Sequence, residues 1–126
     1  MNIEDFRNTC LSMKGVTERL PFREEQYASL VVYYVGDKWF ALSDVDNSEY
    51  CNLKCDPDYS LELQDKYNSV VPGWHMNKRH WISVYYNSDV PDDIFKRLIE
   101  NSYDLVFHSL TKKKQLEIAA TTPAPR

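Results

Sequence analysis

Side chains that could bind or react are concentrated in one segment, PGWHMNKRHW, at residues 72–81. It contains two tryptophans, two histidines, one lysine and one arginine. Residues 67–88 include no aspartate or glutamate, so the segment is locally positive although the whole chain has a net charge of −4. Lysine and arginine can contact phosphates, and an exposed indole can stack on a base. The segment is therefore a candidate DNA-binding surface.

This surface is expected to combine residues of the segment with two polar residues of an earlier strand. Lys54, Lys78 and Arg79 are expected to contact phosphates, and the histidine and asparagine side chains to make other polar contacts. Because so few cations contribute, we expect weak binding that falls by roughly two to three log units per log unit of added salt, with no sequence specificity. The candidate DNA-binding residues are Asn52, Lys54, Trp74, His75, Asn77, Lys78, Arg79, His80 and Trp81.

Two alternatives to DNA binding remain open. The segment could be purely structural, because a positive hairpin tip is usually a solvated turn and strand tryptophans usually pack in a core. Alternation puts Trp81, Ser83 and Tyr85 on one face of the last strand, so we expect at most one tryptophan to be available to a partner. The other alternative is a chaperone-like module that binds a protein partner through aromatic anchors. Its anchors would be Tyr33, Tyr34, Tyr85 and Tyr86.

The cysteines and histidines suggest two further kinds of chemistry, and their spacing disfavours both. Cys51, Cys55, His75 and His80 have the composition of a structural zinc site. On one strand, however, the Cα atoms of the two cysteines would be about 13 Å apart, at roughly 3.3 Å per residue. Alternation turns both thiols toward the core, and Cys10 lies on the apolar stripe of a helix, so none is expected to be an activated nucleophile. Catalytic glycine-loop and paired-carboxylate motifs are also missing. We expect no metal, no cofactor and no enzymatic activity.

Hydrophobic periodicity predicts the elements that position these residues. Asn2 and Asp56 are expected to cap helices, and Gly36-Asp37 to join two strands of a hairpin. The predicted elements are a helix over 3–13, strands over 27–35, 38–43 and 49–54, a helix over 57–67, strands over 74–76 and 80–86 linked at 77–79, and a helix over 91–106 followed by a short helical segment at 111–118. The order α-β-β-β-α-β-β-α fits an α+β domain, in which helices pack against a single antiparallel sheet of about five strands.

Length and composition fit one soluble globular domain. The chain has 126 residues, of which 43% are hydrophobic. It shows neither the long apolar run of a membrane span nor the pattern of a signal peptide, so we expect a cytoplasmic protein whose three cysteines stay reduced. A pI near 5.3 disfavours strong nonspecific binding to polyanions. We expect a single domain over residues 1–118 and a disordered tail over residues 119–126.

Two longer strings carry a resemblance to a known family. NLKCDP (52–57) and PGWHMNKRHW (72–81) resemble the YjbR/MmcQ family of small bacterial proteins. Three short strings agree with it in the right order, so the similarity covers about residues 1–118. These are GVTERLPF (15–22), KWFAL (38–42) and SYDLV (102–106). The resemblance implies a bacterial cytosolic protein with an α+β fold akin to secretion-chaperone and CyaY-like folds, and a DNA-binding "double wing" motif.

The resemblance also marks individual positions. Trp74 stands where the family often has a tyrosine, which keeps an aromatic ring, and Arg23 stands where a glycine is common, which adds a charge. Neither difference affects the implied fold. The family's recurrent positions map onto Asn52, Lys54, Pro72, Gly73, His75, Met76, Asn77, Lys78, His80 and Trp81.

Overall fold

The computed structural model describes residues 1–121, and these residues form a single antiparallel sheet of six strands with helices packed against it. The helices are α1 (Ile3–Leu11), α2 (Pro57–Lys66), α3 (Asp92–Phe107) and α4 (Lys112–Ala119). The strands are β1 (Val16–Arg19), β2 (Leu30–Val35), β3 (Lys38–Asp44), β4 (Asn47–Lys54), β5 (Val70–Pro72) and β6 (Trp81–Tyr85), and a short 3-10 helix spans Glu25–Tyr27. The predicted α+β fold class is confirmed.

The sheet has one strand more than the predicted elements supply. Its order is β1-β2-β3-β4-β6-β5, with every neighbouring pair antiparallel. β1 was not among the predicted strands because it has four residues, two of them charged, beside the turn signal of Pro21. A short, charged strand at the edge of a sheet gives little hydrophobic signal, and the same properties protect the edge from pairing with other chains.

The two faces of the sheet have different environments. The inner face packs against α1 and α3 and carries the main core, in which Phe6, Phe40, Leu53 and Phe95 are fully buried. The outer face carries a smaller apolar cluster, separate from the main core. Its buried members are Val32, Tyr34, Leu42 and Trp81, and the partly buried Phe22, Trp39 and Met76 pack against them.

Helix capping follows the sequence signals. The Asn2 side chain accepts a hydrogen bond from the backbone N–H of Asp5 (2.8 Å), and the Asp5 carboxylate accepts one from the N–H of Asn2 (3.2 Å). This reciprocal capping box begins α1. Asp56 caps α2 in a similar way, with Pro57 at the first helical position. Both predicted caps are therefore present, although α1 ends at Leu11, two residues before its predicted end.

One hydroxyl of α3 fixes the end of β4. Ser102, which is fully buried, donates from Oγ to the carbonyl oxygen of Phe40 and accepts from the backbone N–H of Lys54 (2.8 Å). Helix α3 is thus hydrogen-bonded to two strands at the point where β4 ends. The backbone of Lys54, one of the candidate DNA-binding residues, is held in place by this contact.

The second hairpin differs from the predicted one. β5 pairs with β6, so a hairpin is present, but its strands are Val70–Pro72 and Trp81–Tyr85. The strand predicted over 74–76 is wrong, because residues 73–80 form a series of turns in which His75 has a φ of 61°. The left-handed conformation of His75 cannot belong to a strand. The hairpin therefore has a loop over residues 73–80 in place of the three-residue link predicted at 77–79.

The structure covers only part of the region for which a short helical segment and a C-terminal tail are predicted. The helical segment predicted at 111–118 corresponds to α4, which ends at Ala119. The predicted tail over 119–126 therefore begins with the last helical residue, and residues 122–126 lie outside the described residues.

None of the helices within residues 1–121 combines the length and the apolar character that a membrane crossing requires. The cytoplasmic location stays a prediction.

The three cysteines lie in the protein core, as their spacing predicted. Burial raises the pKa of each thiol, well above its ordinary value for Cys10 and to about 12 for Cys55. Burial likewise raises the pKa of Cys51. Since the thiolate is the reactive form, these side chains are kept protonated and shielded from reagents.

We predict that Ellman's reagent at pH 8 reacts with the thiols of the folded protein roughly a hundredfold or more slowly than with those of the chain unfolded in guanidinium. All three cysteines should react in the unfolded chain. Rapid labelling of even one thiol in the folded protein would contradict the buried placement and reopen the question of a reactive cysteine.

Candidate nucleic-acid interface

The loop between β5 and β6 is compact and internally bonded. We refer to residues 73–80 as the Trp74 loop. Its ends are joined by a hydrogen bond from the N–H of Gly73 to the carbonyl oxygen of Trp81 (3.0 Å). At its far end, the carbonyl oxygen of Asn77 accepts from the N–H groups of His80 (3.2 Å) and Trp81 (3.0 Å), while the Asn77 side chain accepts from the N–H of Arg79 (2.9 Å). Asn77 therefore shapes the turn.

Gly73 is required at the start of the Trp74 loop for steric reasons. A Cβ atom at this position would lie 2.9 Å from the Cβ of Trp81 and 3.0 Å from its carbonyl oxygen. Such contacts are shorter than carbon and oxygen atoms normally allow, and the backbone of β6 cannot move away without breaking its pairing with β4 and β5. The glycine permits the close approach of the two hairpin arms.

Two polar side chains on the outer face hold the backbone of Trp74. The N–H of Trp74 donates to Oγ of Ser83 (2.8 Å), and its carbonyl oxygen accepts from Nδ2 of Asn52 (3.2 Å). Ser83 Oγ in turn donates to Oδ1 of Asn52. Ser83 is fully buried, and it faces Asn52 across the β4–β6 pair. The amide of Asn52 is therefore occupied in positioning the loop rather than free to contact a ligand.

The indole of Trp74 is presented to solvent by this arrangement. Its side chain is 43% exposed, and Nε1 donates to the hydroxyl of Tyr85 (3.1 Å). The Lys78 ammonium lies 5.8 Å from the centre of the indole and donates to the carbonyl oxygen of Gly73 (2.9 Å). A cation over the ring and a hydrogen bond at its edge restrict the rotation of Trp74.

The two tryptophans of the segment have different roles. Trp81 is only 9% exposed and packs in the outer-face cluster with Val32, Tyr34 and Leu42. It supports the Trp74 loop from below and offers little surface to a partner. The expectation that at most one tryptophan is available is therefore confirmed, and that residue is Trp74.

The cations near the loop carry uncompensated charge. Among residues 1–121, Lys54, Lys78 and Arg79 take part in none of the ion pairs. Arg79 and His80 are exposed, and Lys54 is partly exposed on the same side of β4 as Asn52. The local positive charge expected from the sequence stays a prediction.

A groove of about 400 Å³ runs across the outer face beside the Trp74 loop. Three segments line it: the connection between β1 and β2, the outer face of β3 and β4, and the Trp74 loop. Its aromatic residues are Phe22, Tyr27, Trp39, Tyr50 and Trp74, and its polar residues include Gln26, Asp44, Asn47, Asn52 and His75. Partial burial raises the pKa of the Tyr50 phenol.

Most of the groove residues were not predicted as site residues. Tyr50 shares its face of β4 with Asn52 and Lys54, so strand alternation contained a signal for it. Phe22 and Trp39 come from segments distant in sequence and contact each other with ring centroids 5.6 Å apart. No local pattern predicts that contact, because it depends on the order of the strands.

The tyrosines expected to anchor a protein partner are mostly inaccessible. Tyr33 and Tyr86 are buried in the main core, and Tyr34 is buried in the outer-face cluster. Only Tyr85 is partly exposed. The prediction that these four residues form a broad interaction surface is wrong, because three of the four side chains are buried within the fold.

The described residues contain no group of three or more histidine, cysteine, aspartate or glutamate side chains able to hold a metal ion. Cys51 and Cys55 are buried, whereas His75 and His80 are exposed. The cysteines and the histidines of the hypothetical zinc site therefore occupy different environments.

Comparison with known proteins places this fold in a family. The model of the family described as YjbR matches residues 11–105. The chain belongs to the YjbR family. The resemblance seen in the sequence is thereby confirmed, and the matched region extends from the end of α1 into α3, so it includes the groove and the Trp74 loop.

The chain is also similar to individual proteins and to solved structures. The uncharacterized protein YbdF of Escherichia coli O157:H7 is 41% identical over 88 residues, which are 69% of this chain and 72% of the relative. The uncharacterized protein YjbR of Escherichia coli K12 is 32% identical over 116 residues, 91% of this chain and 95% of the relative. The crystal structure of Deinococcus radiodurans protein DR2400, with the domain DUF419, has a TM-score of 0.83 at 29% identity and covers 97% of this chain and 91% of its own.

We predict that Ser83→Ala lowers the free energy of unfolding by about 1–3 kcal/mol, because the N–H of Trp74 and the Asn52 amide lose a buried partner. Asn52→Ala should have a similar effect. Denaturation in urea measures both changes. The matched control is Ser48→Ala at the exposed end of β4, which should change stability by less than about 0.5 kcal/mol. Equal stability of the Ser83→Ala and Ser48→Ala variants would contradict the role assigned to Ser83.

Proposed function

We propose that this YjbR-family domain binds nucleic acid through the Trp74 loop and the adjacent outer face of the sheet. The observation that carries the proposal is the exposed indole of Trp74 beside cations without ion-pair partners among residues 1–121. Ser83 and Asn52 hold the backbone of Trp74, and Tyr85 and Lys78 contact its ring. A restrained aromatic ring next to free positive charge is the combination that contacts bases and phosphates together.

The cations divide into two kinds in this proposal. Arg79 and Lys54 are available to phosphates, since neither side chain is tied to another group of the described residues. Lys78 is partly committed, because its ammonium already donates to the carbonyl oxygen of Gly73. Its charge still adds to the local potential. His80 is exposed beside Arg79.

The proposed binding is weak and sensitive to salt. The chain has a net charge of −4, so attraction to DNA comes from the local patch and not from the molecule as a whole. With two or three phosphate contacts, affinity falls by roughly two to three log units per log unit of salt on a duplex. This behaviour differs from that of strongly basic DNA-binding domains.

The proposed activity is binding and not catalysis. The cysteines, which are the strongest nucleophiles in the chain, are buried and have raised pKa values. A cytoplasmic location is also proposed, and it fits the free state of these thiols. The protein-interaction alternative has less support, since three of its four tyrosine anchors are buried.

We predict that the double substitution Lys54→Ala with Arg79→Ala reduces the slope of log affinity against log salt by about 1.4 for a single-stranded oligonucleotide. Fluorescence anisotropy over a range of low salt concentrations measures it. The matched control for the loss of two exposed cations is Lys96→Ala with Arg97→Ala on α3, away from the loop, which should leave the slope unchanged.

Absence of binding by the unaltered protein at low salt would reject the proposed function. An equal loss of slope in the variant with Lys96→Ala and Arg97→Ala would show that only overall charge matters, which would also contradict the proposed interface.

A further inference from the structure

We propose that the groove beside the Trp74 loop is a site for one unpaired nucleobase. This inference rests on the proposed nucleic-acid binding and adds to it the group that the groove recognises. The nucleotide would place its base among the aromatic residues of the groove and direct its phosphate toward Lys54 and Arg79.

The size and walls of the groove fit a flat ring. Its volume of about 400 Å³ lies in the range of small-ligand sites. Phe22 contacts Trp39 edge-to-face, with centroids 5.6 Å apart and planes at 90°, and Tyr27 packs against Phe22 at 6.0 Å. Trp74 and Met76 line the groove from the loop. The rings are held by one another, so a base would enter a site that is largely formed beforehand.

The charges along the groove match the polarity of a nucleotide. Asp44 lies at one end, where its carboxylate accepts hydrogen bonds from Oγ of Ser29 (2.7 Å) and the N–H of Asp46 (3.0 Å). A carboxylate can accept from the N–H groups of a base and repels a phosphate. Lys54 lies toward the other end of the same face of β4. Its Cα atom is about 13 Å from that of Tyr50, at roughly 3.3 Å per residue. The carboxylate and the ammonium therefore lie toward opposite ends of this face, and a phosphate is favoured at the Lys54 end.

The shape of the site favours an unpaired base. The groove is bounded on opposite sides by the β1–β2 connection and the Trp74 loop. A base inside a duplex is covered above and below by its neighbours and cannot reach aromatic walls of this kind without leaving the stack. A base in a single strand can enter at much lower cost.

The backbone of His75 adds an independent observation at the same place. His75 lines the groove and has a φ of 61°, in the left-handed region that non-glycine residues rarely adopt. Strained backbone of this kind is concentrated at functional sites, where the surrounding structure enforces it. Here the enforcement comes from the hydrogen bonds on both sides of Trp74.

The experiment compares two fluorescein-labelled single strands of equal length and charge, one with bases and one built from abasic tetrahydrofuran residues. Anisotropy with the full chain at low salt should show roughly tenfold tighter binding of the strand with bases, the expected contribution of one stacked base. Trp74→Ala should remove this difference and leave the affinity for the abasic strand unchanged. Leu61→Ala, which truncates an exposed apolar side chain on α2, is the control and should preserve the difference.

A second variant keeps the test decisive if Trp74→Ala does not fold, as judged by circular dichroism. His75→Gly removes a groove side chain at a position where glycine adopts the observed φ without strain, so the loop should be retained and the preference for bases reduced. Equal binding of both strands by the unaltered protein would overturn the base site while leaving the proposed function intact. Failure to bind either strand would overturn both. A preference that persists in the folded Trp74→Ala variant, or that is undiminished in the folded His75→Gly variant, would also overturn the base site.

Discussion

The hydroxyl of Ser83 joins the Trp74 loop to the sheet. It accepts from the backbone N–H of Trp74 and donates to Asn52, which in turn donates to the carbonyl oxygen of the same residue. Because Ser83 is fully buried, its own two hydrogen bonds are partly shielded from water. The exposure of the indole, the position of Lys78 above it and one wall of the groove all depend on this contact.

The residues of the PGWHMNKRHW segment consequently separate into those that build the loop and those that face solvent. Gly73 permits the close approach to β6, Asn77 forms the turn and Trp81 packs beneath the loop. Trp74 and Arg79 are left exposed. A segment rich in groups that could bind DNA thus uses many of them for its own structure, and a smaller exposed set supports the proposed function.

Much of the fold could be predicted from local patterns. The caps of α1 and α2, the alternation in β4 and the burial of the cysteines follow from short-range spacing, and the structure confirms them. The short edge strand β1 and the true ends of the second hairpin could not be predicted in this way. β1 has too few apolar residues to show a period of two in hydrophobicity. The Trp74–Met76 stretch has β propensity, but tertiary hydrogen bonds hold it in turns instead.

The groove was also beyond the reach of local patterns. Phe22 and Trp39 meet Trp74 and Tyr50 in one groove only because β1, β2, β3, β4 and β6 are ordered as they are. Hydrogen exchange at the backbone amide of Trp74 tests the central role of Ser83 most directly. The account predicts a protected amide in the native protein and near-unprotected exchange in Ser83→Ala, with the amides of β6 still protected. An amide of Trp74 that exchanges as fast as an unstructured one in the unaltered protein would contradict it.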